Sequence, residues 1–542
     1  MNGADYLIVG GGSAGCVLAA RLSEDPRIRV VLLEAGGRET GRLRMRMPLA
    51  WRDTFLDPSV SWGFVTEPEP HADARSIPAP CGKVLGGSGS VNGMMYSRGC
   101  AADYDDWRNG GLDGWGYADV LPYFRRAESN WRGSSAYHGD DGPLTVARHP
   151  PDRMIYPRLI AAARALGYAE LEDFHGAEME GFSTPDFTVH RGERASTVAR
   201  YLRPALGRPN LRVLTRATVH RLLIDGGRVR GVEYDAAGRV ERLTCDGEVV
   251  LAAGAFNSPQ LLLLSGIGPP GEIEPHGIRV VHELPGVGGN LQDHQSLSTI
   301  YRARAPITFD AQLRADRLAL AVLRWLLFRT GPVARLPVSA QGFVRTQPGL
   351  DRPDLQMLVS PVSILARPWF PGWRTGAGHV FSVASVLLHP ASRGRVSLRA
   401  ADPKAPPRIL HNLLQAGADR SALRRGIRFV RRYFATAPAR ELVGEELTPG
   451  GTLESDEQLD AFVRANVRTA MHPTSTCAMG VDETAVVDAA LRVRGIAGLR
   501  IADASIMPSI VGGNTNAPVI MIAEKAVDLI RGRSAAGPKQ HV

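Results

Sequence analysis

ADYLIVGGGSAGCVLAARLSEDPRIRVVLLEAGG occupies residues 4–37. Tyr6 to Val9 form a short β-type run, Gly10-Gly11-Gly12-Ser13-Ala14-Gly15 follows at once, and VLAARLSE continues with a helical pattern. Glycine at 10 permits the tight turn, glycine at 12 lets backbone approach a pyrophosphate, and glycine at 15 lets the helix pack on the strand. The helix opened by Ser13, Ala14 and Gly15 offers free N–H groups and a positive dipole end to phosphates. A second strand, Val30 to Leu33, ends in Glu34, which is placed to accept hydrogen bonds from a ribose diol. A bare GxGxxG is weak evidence; with both strands and the acidic residue it predicts an α/β, Rossmann-like dinucleotide-binding unit. The ending Glu34-Ala35-Gly36 favours FAD over NAD.

The 542 residues exceed one simple core, so two or three lobes are expected. Hydrophobic residues at 44% and charged residues at 22% are the balance of an ordinary globular enzyme. The formal charge is +9, and Lys83, Lys404, Lys525 and Lys539 are the only lysines. The arginines are scattered along the chain, with short pairs such as Arg424-Arg425, so no nucleic-acid partner is expected. Cys16, Cys81, Cys100, Cys245 and Cys477 are odd in number and never spaced Cys-x-x-Cys, which argues against a disulfide framework or a metal site and for a reducing cytoplasm. A strand beginning within about five residues of the N-terminus leaves no room for a signal peptide. No stretch reaches the ~18 uncharged apolar residues of a membrane span. Leu318 to Phe328 comes nearest, Arg324 interrupts it, and nothing in the sequence asks for a peripheral membrane contact.

Residues 82–95 read GKVLGGSGSVNGMM, a loop able to pass backbone close to a flat ligand. Residues 254–269, GAFNSPQLLLLSGIGP, turn into an apolar helix after the strand Val249 to Ala253. Residues 471–480 read MHPTSTCAMG and residues 500–526 read RIADASIMPSIVGGNTNAPVIMIAEKA. In this order, over essentially the whole chain, these segments resemble the glucose–methanol–choline (GMC) oxidoreductases. The first departs mildly, with Gly89 where a second serine is usual.

That resemblance implies FAD. Gly10, Gly12 and Gly15, with Ser13 and Ala14, are expected to hold the pyrophosphate, and Glu34 and Ala35 the adenosine ribose. Leu85, Gly86, Asn92, Gly93, Met94 and Met95 are expected to line the isoalloxazine and ribityl chain. Val219 would meet the adenine through its backbone. Ala253, Asp503 and Ala504 would lie at the pyrophosphate or ribityl end, and Thr515 and Asn516 at the flavin pyrimidine. Some members attach FAD through a histidine in the glycine loop; Val91 stands in that place, so FAD is expected to be non-covalent.

Alcohol oxidation by a flavin removes a proton from the hydroxyl and a hydride from the carbon, so the protein must supply the base. Histidine suits this, with an unperturbed pKa of about 6.5. His472 precedes Pro473, which disfavours the helical conformation and holds the imidazole on an extended loop. The resemblance makes His472 the base and Asn514, just before the last helix, its partner. An FAD domain is expected over 1–40, 75–105, 195–295 and 470–542. A substrate domain on an antiparallel sheet is expected over 140–190 and 296–465, with 41–74 and 106–139 as lid or connecting segments. The reaction expected is oxidation of an alcohol, with O₂ or a quinone as electron acceptor; a hydroxynitrile lyase using the same fold is the alternative. The loop RPWFPGW (367–373) reads either as a lid or, more commonly for such rings, as ordinary packing.

Overall fold

The computed structural model describes residues 3–39 and 42–533; the outer edges of the expected FAD domain, at 1–2, 40 and 534–542, lie outside them, as does residue 41 of the expected connecting segment. Strand Ala4–Val9 lies at the centre of a seven-stranded sheet. It runs parallel to Val30–Glu34 on one side and to Arg239–Leu251 on the other. Leu211–Thr215 extends the parallel part outward, and Leu499–Ile501 joins the far end of Arg239–Leu251, again parallel. Such strands are covered on both faces and read as nearly continuous apolar runs. Leu7, Ile8, Val30, Leu32, Val249, Val250 and Leu251 accordingly lie fully inside. Helix Ser13–Leu22 packs against the last helix, Asn516–Ile530, on this sheet. Ala217–Asp225 and Arg228–Ala236 add an antiparallel meander to the first half of Arg239–Leu251.

A second seven-stranded sheet is antiparallel throughout. Its order runs Val443–Thr448, Gln295–Ala303, Val380–Leu387, Leu355–Ser360, Ala340–Val344 and Gly181–Ser183, with Arg468–Thr469 paired to Gln295–Ala303. Alternation gives its two faces different characters. Ala340, Val344, Leu355, Met357, Val359, Phe381 and Val383 pack with Phe429, Val430 and Tyr433 of helix Gly417–Ala435. The opposite face carries Gln341, Gln356 and Ser382.

A four-stranded sheet behind the 82–95 loop includes Met95–Tyr96 and Glu128–Asn130. Its centre is a fully buried ion pair between Arg98 and Glu128. Tyr96 donates to Glu128 Oε2 at 2.6 Å, and His138 bridges Glu128 Oε1 and Asp173 Oδ2 at 2.8 Å each. Burial alone would raise the Glu128 pKa, but Arg98 and the hydrogen bonds bring it down to about 2.

Candidate active site

The glycine turn meets the steric demands its spacing implies. Gly10 has φ +101°, and a Cβ there would sit 2.5 Å from the Ala252 carbonyl oxygen. A Cβ on Gly15 would come within 1.9 Å of the Gly10 oxygen. At Gly12 a Cβ would find only Ala252 O, at 3.7 Å, so that glycine answers to no protein neighbour and leaves room for a ligand. Helix Ser13–Leu22 has neither a side-chain cap nor an acidic residue in its first turn. This open, anion-favouring terminus fits a pyrophosphate. Glu34 Oε2 accepts from Gly11 N at 2.8 Å and Oε1 from Gly36 N at 2.7 Å. Each oxygen keeps a further lone pair for a ribose hydroxyl. Burial pushes this carboxyl up to about 7 against the pull of those two N–H groups.

The 82–95 loop lies across the turn. Gly86 N donates to Gly11 O at 2.6 Å, and a Cβ on Gly87 would lie 2.9 Å from Gly12 Cα. Gly89 has a structural reason: a Cβ there would press to 2.4 Å from Ser13 Oγ, which donates to Asn516 Oδ1 at 2.7 Å. That bond ties Asn516 Oδ1 to the first helix and does not involve the two N–H donors of the amide. Val91 is buried among Met45, Phe55, Val60 and Val84, and valine has no atom that could bond a flavin. Asn92 Oδ1 receives Met94 N at 3.0 Å and Arg194 Nη1 at 2.7 Å. Arg194 also donates to the Met45 and Asn92 carbonyls, while its Nη2 is buried without a partner. Met94 holds φ +55°, a left-handed conformation that favours glycine.

Ala253 leads into helix Gly254–Leu264, and Asp503 fastens its start. The Asp503 carboxylate accepts from Gly254 N, Ser258 Oγ, Ser505 N and Ser505 Oγ at 2.6–2.8 Å. With four protein donors it is saturated, which leaves backbone rather than side chain at Asp503 and Ala504 to meet a cofactor. Val219 sits at a register shift opposite Tyr234 in the meander. Thr515 precedes helix Asn516–Ile530, whose first turn has no side-chain cap and no acid.

His472 and Asn514, 42 residues apart, meet: Asn514 Nδ2 lies 3.1 Å from His472 Nε2. Gln356 Nε2 donates to Asn514 Oδ1 at 3.4 Å. The other ring nitrogen, His472 Nδ1, lies 2.9 Å from Nδ1 of His294, whose Nε2 is 3.0 Å from the Val511 carbonyl. The His472 main chain is pinned as well. Its N–H donates to Asp293 Oδ1 at 2.8 Å, while Thr469 Oγ1 donates to Asp293 Oδ2 at 2.6 Å. Met471 just before it has φ +65°. Burial holds both imidazoles below the ordinary histidine value, His294 furthest; Asp293 opposes the shift at His472. Gly512 and Gly513 bring the Asn514 loop in: a Cβ on Gly513 would lie 2.1 Å from Ser97 Oγ.

The GMC oxidoreductase pattern matches residues 4–296 with its N-terminal part and 390–523 with its C-terminal part. The chain belongs to the GMC oxidoreductase family. A mouse (Mus musculus) mitochondrial choline dehydrogenase is 42% identical to this GMC oxidoreductase, covering 98% of this chain and 90% of that one. The crystal structure of pyridoxine 4-oxidase from Mesorbium loti superposes with a TM-score of 0.87 at 31% identity over 98% of this chain and 99% of that one. A formate oxidase from Aspergillus oryzae RIB40, studied for its FAD modification, gives 0.91 at 28% identity, with 98% of each chain covered. As a GMC oxidoreductase the protein is an FAD-dependent enzyme that oxidises an alcohol. None of these three relatives is a lyase.

Among the described residues all five cysteines are free, no cluster suits a metal ion, and no helix is long and apolar enough to cross a membrane. Sequence reasoning on the GMC motifs missed Asp293, His294, Gln356 and Arg194. The run Asn290-Leu291-Gln292-Asp293-His294 carried the only local signal, an acid beside a histidine at the start of a strand.

Proposed function

We propose that His472 Nε2 is the base that removes the alcohol proton, and that Asn514 holds the alcohol oxygen beside it. The observation that carries this reading is the paired histidines. A carbonyl can only accept, so His294 Nε2 carries the proton it gives to Val511. Kept neutral by burial, His294 then has a bare Nδ1, and His472 Nδ1 must be the donor between them. His472 therefore presents Nε2 unprotonated on the side of Asn514. A substrate hydroxyl donating to Nε2 and accepting from Asn514 Nδ2 would be fixed at both its oxygen and its proton. Bound FAD supplies the hydride acceptor. Gly10, Gly12, Ser13, Ala14 and Gly15 would hold its pyrophosphate, Glu34 and Ala35 its ribose, and the 82–95 loop, steadied by Arg194, its ring system. Helix Asn516–Ile530 offers its positive end to negative charge in the site.

We assign the parallel sheet to FAD and the antiparallel sheet to substrate. On the polar face of the latter, Gln356 reaches Asn514, and Gln341 on the neighbouring strand has a buried Oε1 without a partner. Both are neutral amides, whereas a quaternary ammonium is held by aromatic faces or a carboxylate. This favours a neutral alcohol with a second polar group over choline. O₂ or a quinone reoxidises the flavin; oxygen uptake compared with dye reduction on one substrate separates the two.

Anaerobic mixing of the holoenzyme with a panel of alcohols, choline included, tests the reading: alcohols should bleach the flavin, and a panel without effect would sink it. With a good substrate, the bleaching rate should rise with pH as His472 loses its proton, with a midpoint below the ordinary ~6.5, and then level off. A rate still climbing far above neutrality would point to another base. Asn514→Ala should slow bleaching about tenfold, the worth of one hydrogen bond to the reacting oxygen. An unchanged rate would leave Asn514 only a part in the turn before the helix.

A further inference from the structure

Helix Ala315–Phe328 buries one side and leaves the other unpartnered. Ala321 and Trp325 pack on Val333 and Ala334, with Met47 and Leu49 beneath. On the outer side Leu320 is 68% exposed, Leu327 65% and Phe328 69%, with Leu323 and Leu326 also exposed. Alongside runs the RPWFPGW loop, joined to the helix start by Ala315 N donating to Trp369 O at 2.8 Å. Trp369 is half-buried and donates to Asp310 O at 3.1 Å, but the other two rings face outward: Trp373 is 63% exposed, Phe370 is exposed, and Leu365 just before is 67% exposed. Arg52 Nη1 donates to Ala366 O at 3.1 Å and ties in the segment 42–57. Leucines, phenylalanines and a tryptophan left in water on three adjoining segments mark a surface that is covered in use.

The same segments concentrate the charge of the protein. Residues 42–57, 314–335 and 364–377 hold eleven arginines against three aspartates, a net +8 out of the formal +9 of the whole chain. Arg44, Arg317, Arg324, Arg335, Arg367 and Arg374 have no carboxylate partner among the described residues. Arginines scattered in sequence thus gather in space around an apolar face. We propose that this face docks on an anionic lipid bilayer, with helix Ala315–Phe328 lying in the interface. At 14 residues the helix is about 21 Å long, too short to span and suited to lying flat. Leucine and aromatic side chains enter the acyl boundary while arginine stems reach back to phosphates. A second copy of the chain is a poorer occupant, because a two-fold contact would set one +8 face against another.

The test is flotation of the FAD-loaded protein with phosphatidylcholine vesicles, with and without phosphatidylglycerol. The protein should float with the anionic vesicles, remain behind with the uncharged ones, and be largely released near 1 M salt, where charges are screened within about 3 Å. Leu323→Glu combined with Leu327→Glu should cut flotation by at least about tenfold with the flavin spectrum and dye-coupled alcohol oxidation unchanged. Arg367→Glu with Arg374→Glu, on the exposed loop, should do the same. Failure to float with anionic vesicles at low salt, equal binding to uncharged ones, or undiminished binding by both variants would overturn the proposal. So would a wild-type dimer that the leucine variant turns into a monomer, which would assign the face to a second copy.

Discussion

Replacing His472 with alanine is expected to slow flavin reduction by alcohol about 10²–10⁴-fold while FAD stays bound. The substitution removes the one basic atom beside Asn514 Nδ2. It leaves the proposed pyrophosphate site untouched, since residues 10–15 and 86–89 lie on other elements. His294 loses the donor to its Nδ1, a buried group whose desolvation costs about 1–3 kcal/mol, so the variant should also melt somewhat lower. Stopped-flow bleaching under anaerobic conditions, with flavin content measured from the same sample, separates the two effects. Full occupancy with an unchanged rate would take His472 out of the chemistry. His472→Gln should be nearly as slow as the alanine variant, because an amide can hold an alcohol but cannot take its proton.

Glu128→Ala should destabilise the holoenzyme by about 3–5 kcal/mol. The reason is the guanidinium left behind. Arg98 is wholly buried, and Glu128 is its only carboxylate partner among the described residues. Tyr96 and His138 would each lose an acceptor at the same time. Tyr96 closes the strand that follows the 82–95 loop, so flavin release should move to lower denaturant together with the global transition. Urea unfolding followed by both tryptophan and flavin fluorescence measures this. A loss below about 1 kcal/mol would show that water or another group takes over the arginine. Glu128→Gln keeps the shape and removes only the charge, and should fall between the two.

What could be read from the sequence was local. Gly10, Gly15 and Glu34 are legible because the turn, the helix and the next strand that need them lie within 25 residues, and the clashes a Cβ would meet come from that unit and the strand beside it. His472 was legible through its motif and through Pro473. Its environment was not: His294 stands 178 residues away and Asp293 179, and no spacing rule connects them. Nor does spacing connect Asp503 with Ser258, 245 residues earlier, which donates to its carboxylate. Asn516 is claimed by Ser13 across 503 residues. The arginine-rich face escaped for the same reason, since its three segments carry unremarkable charge one by one. The outward turn of Phe370 and Trp373 was not legible either, since aromatic rings in a loop read alike whether they cover a pocket or pack on the surface.

The parallel sheet has a consequence for how the enzyme is made. Ala4–Val9 is made long before Leu499–Ile501, which pairs with its neighbour, and before Asn516–Ile530, which covers the helix proposed to cradle phosphate. At about 5–20 residues per second, the 504 residues between Gly10 and Asn514 take roughly 25–100 s to synthesise. From its own synthesis until Leu499–Ile501 is made about 250 residues later, roughly 12–50 s of that time, the end of Arg239–Leu251 is an open apolar strand edge, a template for pairing with another chain. The elements proposed to hold FAD are therefore complete only once Asn516–Ile530 has been made. The yield of active enzyme should depend on chaperones that guard that edge while it is unpaired.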